Sequence, residues 1–373
     1  MEPELGREFL DGLELKGVSR RSFLKFCAQA AALLGLSQAA VPRIAEAVER
    51  MSRRPPLVWL DFMECLGCTE SFINATYPEV DRIILEILSL EYHEAVNAAA
   101  GEKAHENLWK AVDAGGFLCV VEGAVATGIP SAMTIGGLTS MEIMERVGRR
   151  ADAVVAVGMC ATHGGTQGAS PNPTGAVGVG EFLKSRSIAT PVINLPGCPV
   201  NPENIISTVL RYLLLGALPE LDAYGRPLDL YGRTIHDNCP RRGHFDEGRF
   251  VERFGTVEEA RGYCLYKVGC RGPETFSNCP QVLWNNRQNW CIGAGAPCIG
   301  CFEPRFWDRF ADFYEPLPGV EVAGVRTTAD RAGIALAAAA AAGVGAHLAA
   351  SAAKGRLGRK ESRVVREEEE GGE

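Results

Sequence analysis

Between its two ends the 373-residue chain has no basic stripe. With a formal net charge of −8 it offers nucleic acid no lysine- and arginine-lined surface, which excludes nucleic acid as the main partner. Hydrophobic periodicity is also missing, over residues 222–318, so no ordinary core can be read there. Even cysteine pairing is lacking: the cysteines number thirteen, an odd count, and their spacings are unlike those of a small disulfide scaffold. Thirteen are too many for a typical cytosolic enzyme, and they fall in groups that look like ligand sets. The rest of the composition, 46% hydrophobic and 23% charged, is that of a globular protein long enough for two cores.

Both ends carry addresses. Residues 19–47 read SRRSFLKFCAQAAALLGLSQAAVPRIAEA, in which Arg20-Arg21 precede Ser22, Phe23, Leu24 and Lys25 and then a weakly apolar run. This resembles a twin-arginine export signal over residues 1–47, with small residues for cleavage after Ala47; the competing reading is an ordinary amphipathic helix. Such a signal carries a protein already folded, with its cofactors in place. Cys27 lies inside it and would leave with it. Residues 333–353, GIALAAAAAAGVGAHLAASAA, carry no charge and are long enough to span a bilayer as a helix, predicted over 331–353; a soluble alanine-rich helix is the alternative. Lys354, Arg356, Arg359, Lys360, Arg363 and Arg366 follow, which places residues 354–373 in the cytoplasm and the main body on the periplasmic, outer face of the cell membrane.

Residues 48–220 alternate buried strand patterns with amphipathic helical ones. PLVWLDF (56–62), GFLCVVEGAV (116–125), ADAVVAVGM (151–159) and TPVINLP (190–196) read as strands. DRIILEILSL (81–90), EKAHENLWKAV (102–112), TSMEIMERVG (139–148) and PENIISTVLRYLLL (202–215) read as helices, with Thr139 and Glu142 as a capping box. The pattern predicts an α/β fold with a flavodoxin-like, doubly wound parallel sheet. Cys65 and Cys68 follow the first strand, Cys160 the third and Cys198 the fourth, so four thiols converge beyond the strands' carboxyl ends. Four thiolates suit a 4Fe–4S cluster or a zinc ion. Gly67, Gly197 and Gly164–Gly165 let the backbone come close, and helices starting near Thr69 and Pro199 would aim amide dipoles at the site. Cys119, in mid-strand, reads as a buried structural cysteine.

In residues 221–320 ligands take over from periodicity: His236 and Cys239, Cys264 and Cys270, Cys279, Cys291, Cys298 and Cys301. A region so poor in regular structure needs its metals as core. Without Cys27 and Cys119 eleven cysteines remain, and His236 makes twelve candidate ligands, three sets of four. His93, His105, His163 and His244 have no such place in the arithmetic. Three zinc sites would be redox-silent, and disulfides would explain neither His236 nor the gathering at strand ends.

The twin arginines, ECLGCTES, VEGAV, GMCATHGG, LPGCPVNPENI, HDNCPRRGHFDEGRF, GCRGPETFSNCP and PCIGCFEPRFWD together resemble, in order and over nearly the whole chain, the small subunit of membrane-bound nickel–iron uptake hydrogenases. The resemblance implies an irregular iron–sulfur domain after the sheet domain, and three clusters. Cys65, Cys68, Cys160 and Cys198 would hold a proximal 4Fe–4S cluster facing a large subunit. His236, Cys239, Cys264 and Cys270 would hold a distal 4Fe–4S cluster near the surface. Cys279, Cys298 and Cys301 would hold the medial one, often 3Fe–4S in the family with proline where this chain has Cys291. Cys291 would supply a fourth ligand and make the medial cluster 4Fe–4S.

Two further departures concern the proximal site. Oxygen-tolerant members carry two extra cysteines at positions occupied here by Gly67 and Gly165, which implies an ordinary cubane. Leu66 replaces a threonine implicated in proton movement, and a leucine relays no proton; Glu64 is a candidate for that path, or simply a structural carboxylate. The nickel–iron centre would lie in the partner, since no second paired C-x-x-C set is left over. Electrons from hydrogen would pass through the clusters to a membrane cytochrome b and, through it, quinone. A quinone-reductase-type iron–sulfur subunit is the near rival, and a structural zinc protein on the outer face of the membrane is the alternative of another class.

Overall fold

The computed structural model describes residues 6–15, 18–50, 55–76, 78, 88–315, 320–322, 325–327 and 329–355. The chain divides into two compact units, Met1–Pro316 and Leu317–Glu373.

The first unit is built on a parallel sheet of five strands: β1 (Pro56–Asp61), β2 (Ser89–Tyr92), β3 (Leu118–Glu122), β4 (Ala153–Val157) and β5 (Val192–Leu195). Their order across the sheet is β2-β1-β3-β4-β5, the flavodoxin-like arrangement, so the chain reverses direction between β1 and β3. β4 throughout, and β1 and β3 up to a closing carboxylate, are apolar because parallel strands covered on both faces have no wet side. Successive side chains point to opposite faces. Trp59, Leu118, Val120 and Val155 join one core, and Val58, Leu60, Cys119, Val121 and Ala156 the other. Fully burying each such side chain stabilises by about 1.5–3 kcal/mol.

The helices follow the same division. α1 (Gly67–Ile73) and α6 (Pro202–Leu215) send Phe72, Ile205, Ile206 and Leu210 into the first core. α2 (Gly101–Ala114), α3 (Ser140–Gly148) and α5 (Val179–Ser185) send Leu108, Ile143, Met144, Val147 and Phe182 into the second. The short α4 (Gly158–His163) starts directly at the end of β4. Local signals set several boundaries. Thr139 and Glu142 form the predicted capping box before α3. Asn201 caps α6, Pro202 occupies its first turn, and Gly216 ends it at φ 61°. α6 therefore begins at Pro202 rather than near Pro199, because Asn201 takes the cap.

One expectation is corrected. Ser89 and Leu90, placed at the end of a helix over 81–90, belong to edge strand β2, which pairs with β1 across a register irregularity. Residues 81–87 of that segment lie outside the described residues. β5 follows a short helix, α5, that no periodicity announced.

Helices Arg20–Leu33 and Val41–Arg50 pack on the α6 side of the sheet, burying Phe23, Phe26, Cys27, Ile44 and Val48. Beyond α6, the described helices up to Arg309 are single short turns of three to five residues, such as Leu228–Tyr231, Arg242–Asp246 and Cys279–Val282.

The second unit contains the hairpin Val320–Val322 and Val325–Thr327 and the helix Ala329–Ala353. Ala332–Ala353, 22 residues, is long and apolar enough to cross a membrane. The tail beyond residue 355 lies outside the described residues.

Candidate functional site

The first group of cysteines sits at the reversal point of the sheet. Cys65 and Cys68 follow β1, Cys160 is on α4 at the end of β4, and Cys198 is in the loop after β5. Cross-braces hold these segments together. Ser71 Oγ donates to the Val200 carbonyl at 2.7 Å, and Gln167 reaches Met63 O at 3.0 Å while its Oε1 lies 3.4 Å from Cys160 Sγ. Burial pushes the Cys160 thiol up to about 12, with the Cys198 and Cys65 sulfurs adding repulsion. Burial and then Glu122 raise Cys68, with Cys160 and Cys198 adding to the push. The four sulfurs thus stand within one another's electrostatic reach, the situation in which thiols bind cationic metal.

Glycines let the backbone around them come close to the sulfurs. At Gly158, φ is +83° and a Cβ would press on Cys68 Sγ. At Gly165, φ is +65° and a Cβ would come within 2.5 Å of Cys160 Sγ. A Cβ on Gly67 would meet Cys65 Sγ at 3.2 Å. No disulfide joins any of the thirteen cysteines in this structure. Four thiols drawn from three strand ends are a donor set that suits a 4Fe–4S cluster or a zinc ion.

The second region holds two more groups. Cys239, Cys264 and Cys270 influence one another, after the burial that raises each of them. His236 is on the same turn as Cys239, with its ring edge-on to Phe245 at 4.5 Å; burial and Arg242 lower its pKa, which favours the neutral imidazole. The Cys279 thiol is pushed up to about 11 by burial and then by Cys291, and Cys301 is raised by burial and then by Cys298, Cys279 and Cys291. Cys291, itself exposed, therefore stands with Cys279, Cys298 and Cys301.

Amide-to-sulfur hydrogen bonds join the groups. Cys298 N donates to Cys270 Sγ at 3.4 Å, Gly300 N to Cys298 Sγ at 3.4 Å, and the Cys198 amide to Cys301. Such donors stabilise the negative charge of a sulfur ligand and tune the metal behind it. They run from the strand-end group to the Cys279 group and on to the Cys239 group.

With this geometry in hand, comparison with known proteins is decisive. A family described as the C-terminal part of the NiFe/NiFeSe hydrogenase small subunit matches residues 231–314, and one described as NADH ubiquinone oxidoreductase, 20 Kd subunit, matches residues 65–212. Over 314 residues the chain is 46% identical to periplasmic NiFe hydrogenase small subunit 1 of Nitratidesulfovibrio vulgaris, covering 83% of this chain and 98% of that one. The chain belongs to the nickel–iron hydrogenase small subunits. It is also 43% identical over 346 residues to the quinone-reactive Ni/Fe-hydrogenase small chain of Wolinella succinogenes, covering 90% and 96% of the two chains. Among solved structures, a nickel–iron–selenium hydrogenase from Desulfomicrobium baculatum in a reduced, active form aligns with a TM-score of 0.67 at 34% identity, covering 71% of this chain and 100% of that one. The rival quinone-reductase-type reading is thus right only about the sheet domain, which the two families share; residues 231–314 carry the hydrogenase match. As a hydrogenase small subunit, the chain works in electron transfer with iron–sulfur clusters beside a large subunit.

Sequence reasoning passed over a carboxylate beside the first cysteine group. Glu122, at the end of β3 and 2% exposed, accepts Cys68 N at 2.9 Å, Thr69 N at 2.8 Å and Thr69 Oγ1 at 2.7 Å. Asp61, at the end of β1, is its register partner. The available signal was a carboxylate ending each of two otherwise apolar strands, LVWLD and LCVVE. Glu64 has Oε2 buried without a hydrogen-bond partner among the described residues, and burial followed by Glu122 and Glu94 pushes its carboxyl up to about 7. Leu66, at φ 60°, brings no hydroxyl to this loop.

Proposed function

We propose that this chain passes electrons from hydrogen oxidation at the large subunit's nickel–iron centre through three iron–sulfur clusters toward a membrane cytochrome b and quinone. Cys65, Cys68, Cys160 and Cys198 hold a proximal 4Fe–4S cluster. Cys279, Cys291, Cys298 and Cys301 hold a medial 4Fe–4S cluster, and His236, Cys239, Cys264 and Cys270 a distal one. When bound, each cluster accepts and passes one electron. The protein's own residues ligate, space and screen the clusters. The observation that carries the reading is the chain of amide-to-sulfur bonds linking the three groups, Cys198 to Cys301 and Cys298 to Cys270.

Gly67 and Gly165 leave no sulfur beyond the four at the proximal site, in keeping with an ordinary cubane and no special oxygen tolerance. A fourth medial thiol, Cys291, gives a lower medial potential than a 3Fe–4S centre would have. Twin-arginine export of the folded protein and anchoring by the helix Ala329–Ala353 place the body on the periplasmic face, in keeping with a relative named quinone-reactive. Glu64 stands beside Cys65 as a proton-path candidate.

The test is addition of hydrogen to the purified complex. The broad visible absorption of oxidised iron–sulfur clusters bleaches if the account holds. A colourless, zinc-containing chain overturns it.

A further inference from the structure

Asp61 stands where a buried parallel strand has no use for a charge. It is 3% exposed, and among the described residues neither carboxylate oxygen has a hydrogen-bond partner of good geometry, the Trp59 indole N–H being the near donor. His93, 1% exposed, stacks on Trp59 with ring centroids 5.0 Å apart and brings Nδ1 to 3.3 Å from Asp61 Oδ2. The Ala95 amide donates to that same Nδ1 at 3.2 Å, so Nδ1 bears the lone pair and Nε2 the proton. Nε2 faces Thr69 Oγ1 at 3.4 Å, and Thr69 Oγ1 donates to Glu122. Glu122 in turn holds the amides of Cys68 and Thr69. One polar chain therefore joins Asp61 to the backbone of a cysteine assigned to the first cluster.

The groups facing Asp61 are acidic: Glu122 from β3, Glu94 after β2 and Glu64 after β1, with Tyr92 and His93 beside them. Burial first, and then these carboxylates, push Asp61 up to about 8, and burial brings His93 down to about 4. The Ala95 bond keeps His93 neutral, so His93 brings no positive charge to offset that of an ionised Asp61. Tyr92, His93 and Glu94 also line an open cavity of about 820 Å³, which gives protons a way in from water.

We propose that Asp61 takes up a proton when the cluster at Cys65, Cys68, Cys160 and Cys198 is reduced, and gives it back on reoxidation. The proposal rests on reading those cysteines as cluster ligands. The electron comes from hydrogen oxidation in the partner and the proton from water in the cavity, so the buried charge stays constant through the cycle. The physical cause is reciprocal: added negative charge at the cluster raises the proton affinity of Asp61, and a protonated Asp61 makes reduction easier.

The test is a redox titration of the first cluster in the intact heterodimer, followed by EPR on either side of about pH 8. The expected result is a potential that falls as pH rises in the wild type, and a flat one in Asp61→Asn with the cluster's spectrum retained. Glu64→Gln keeps the fall. A flat wild type, a fall that persists in Asp61→Asn, or one that disappears in Glu64→Gln overturns the proposal. If Asp61→Asn does not assemble, the infrared difference spectrum of the wild type on reduction decides: it gains a protonated-carboxyl band, and a spectrum without one overturns the proposal. A wild type with no spectrum from a four-cysteine cluster sinks the cluster reading itself, and the coupling with it.

Discussion

Asp61 and Glu122 are register partners on adjacent parallel strands, and both are buried, at 3% and 2% exposure. Only one of them is satisfied. Glu122 accepts three hydrogen bonds from Cys68 and Thr69, whereas Asp61 has His93 as its near neighbour. Glu122→Leu leaves two buried amides without an acceptor, at a cost of about 1–3 kcal/mol each. The expected outcome is a heterodimer with a lower Tm and a first cluster that loads poorly. Glu122→Gln keeps an acceptor oxygen and shows a milder loss in both the melting scan and the iron analysis.

The same two strands set a pH dependence. Burial pushes Asp61 up to about 8 and Glu64 up to about 7. In the unfolded chain both carboxyls ionise near their ordinary values, about pH 4. The folded state thus retains protons that the unfolded state has lost, a contribution that falls as pH rises from about 4 to about 8; below about pH 6.5 the buried neutral His93 and His163, both brought down to about 4, oppose it, so the net decline lies between about pH 6.5 and 8. Melting scans of the complex across that window are expected to show the decline, and Asp61→Asn to remove the upper part of it. A Tm in Asp61→Asn that tracks the wild type across the whole window contradicts the assignment.

Gly158 carries the sharpest steric prediction. Its φ is +83°, and a Cβ there meets Cys68 Sγ. Gly158→Ala is expected to remove about four iron atoms per chain, those of the first cluster, while the other two clusters keep their EPR signals. Loss of all three signals together means general misfolding instead.

Arg226 ties the start of the ligand-rich region to its far end. It is 4% exposed along its side chain and bonds Asp222 at 2.7 Å and Glu303, two residues from Cys301, at 3.1 Å. Arg226→Met strands the Glu303 carboxylate and is expected to cost about 3–5 kcal/mol. Adding Glu303→Gln restores part of that loss in chemical unfolding. If the two changes are simply additive, the pair is not the tie described here.

Where local chemistry agrees with tertiary demand, the sequence was a good guide. α6 begins and ends as its Asn201, Pro202 and Gly216 say, and α3 as its capping box says. Four strands were legible because parallel strands must be apolar throughout. β2 was not: it is a four-residue edge strand whose pattern, continuing ILEIL, has helical spacing. The strand-end group of cysteines could be read from position alone, since strand ends in such sheets face one crevice, whereas the sorting of the later ligands into two sets came from the family resemblance. His93 could not. A lone histidine carries no spacing signal, and only the fold places it over Trp59 and against Asp61. Glu122 was visible in VEGAV, but its partners are amides, which leave no mark in a sequence.

The central claim is that this chain holds three clusters, the medial one completed by Cys291. Iron and zinc analysis of the purified heterodimer, together with EPR of its oxidised form, tests it most directly. The account predicts about twelve iron atoms in this chain beyond the partner's nickel–iron centre, no zinc, and no 3Fe–4S signal in the oxidised enzyme, with that signal appearing in Cys291→Ser. A 3Fe–4S signal in the oxidised wild type contradicts the role of Cys291, and stoichiometric zinc in place of iron contradicts the account as a whole.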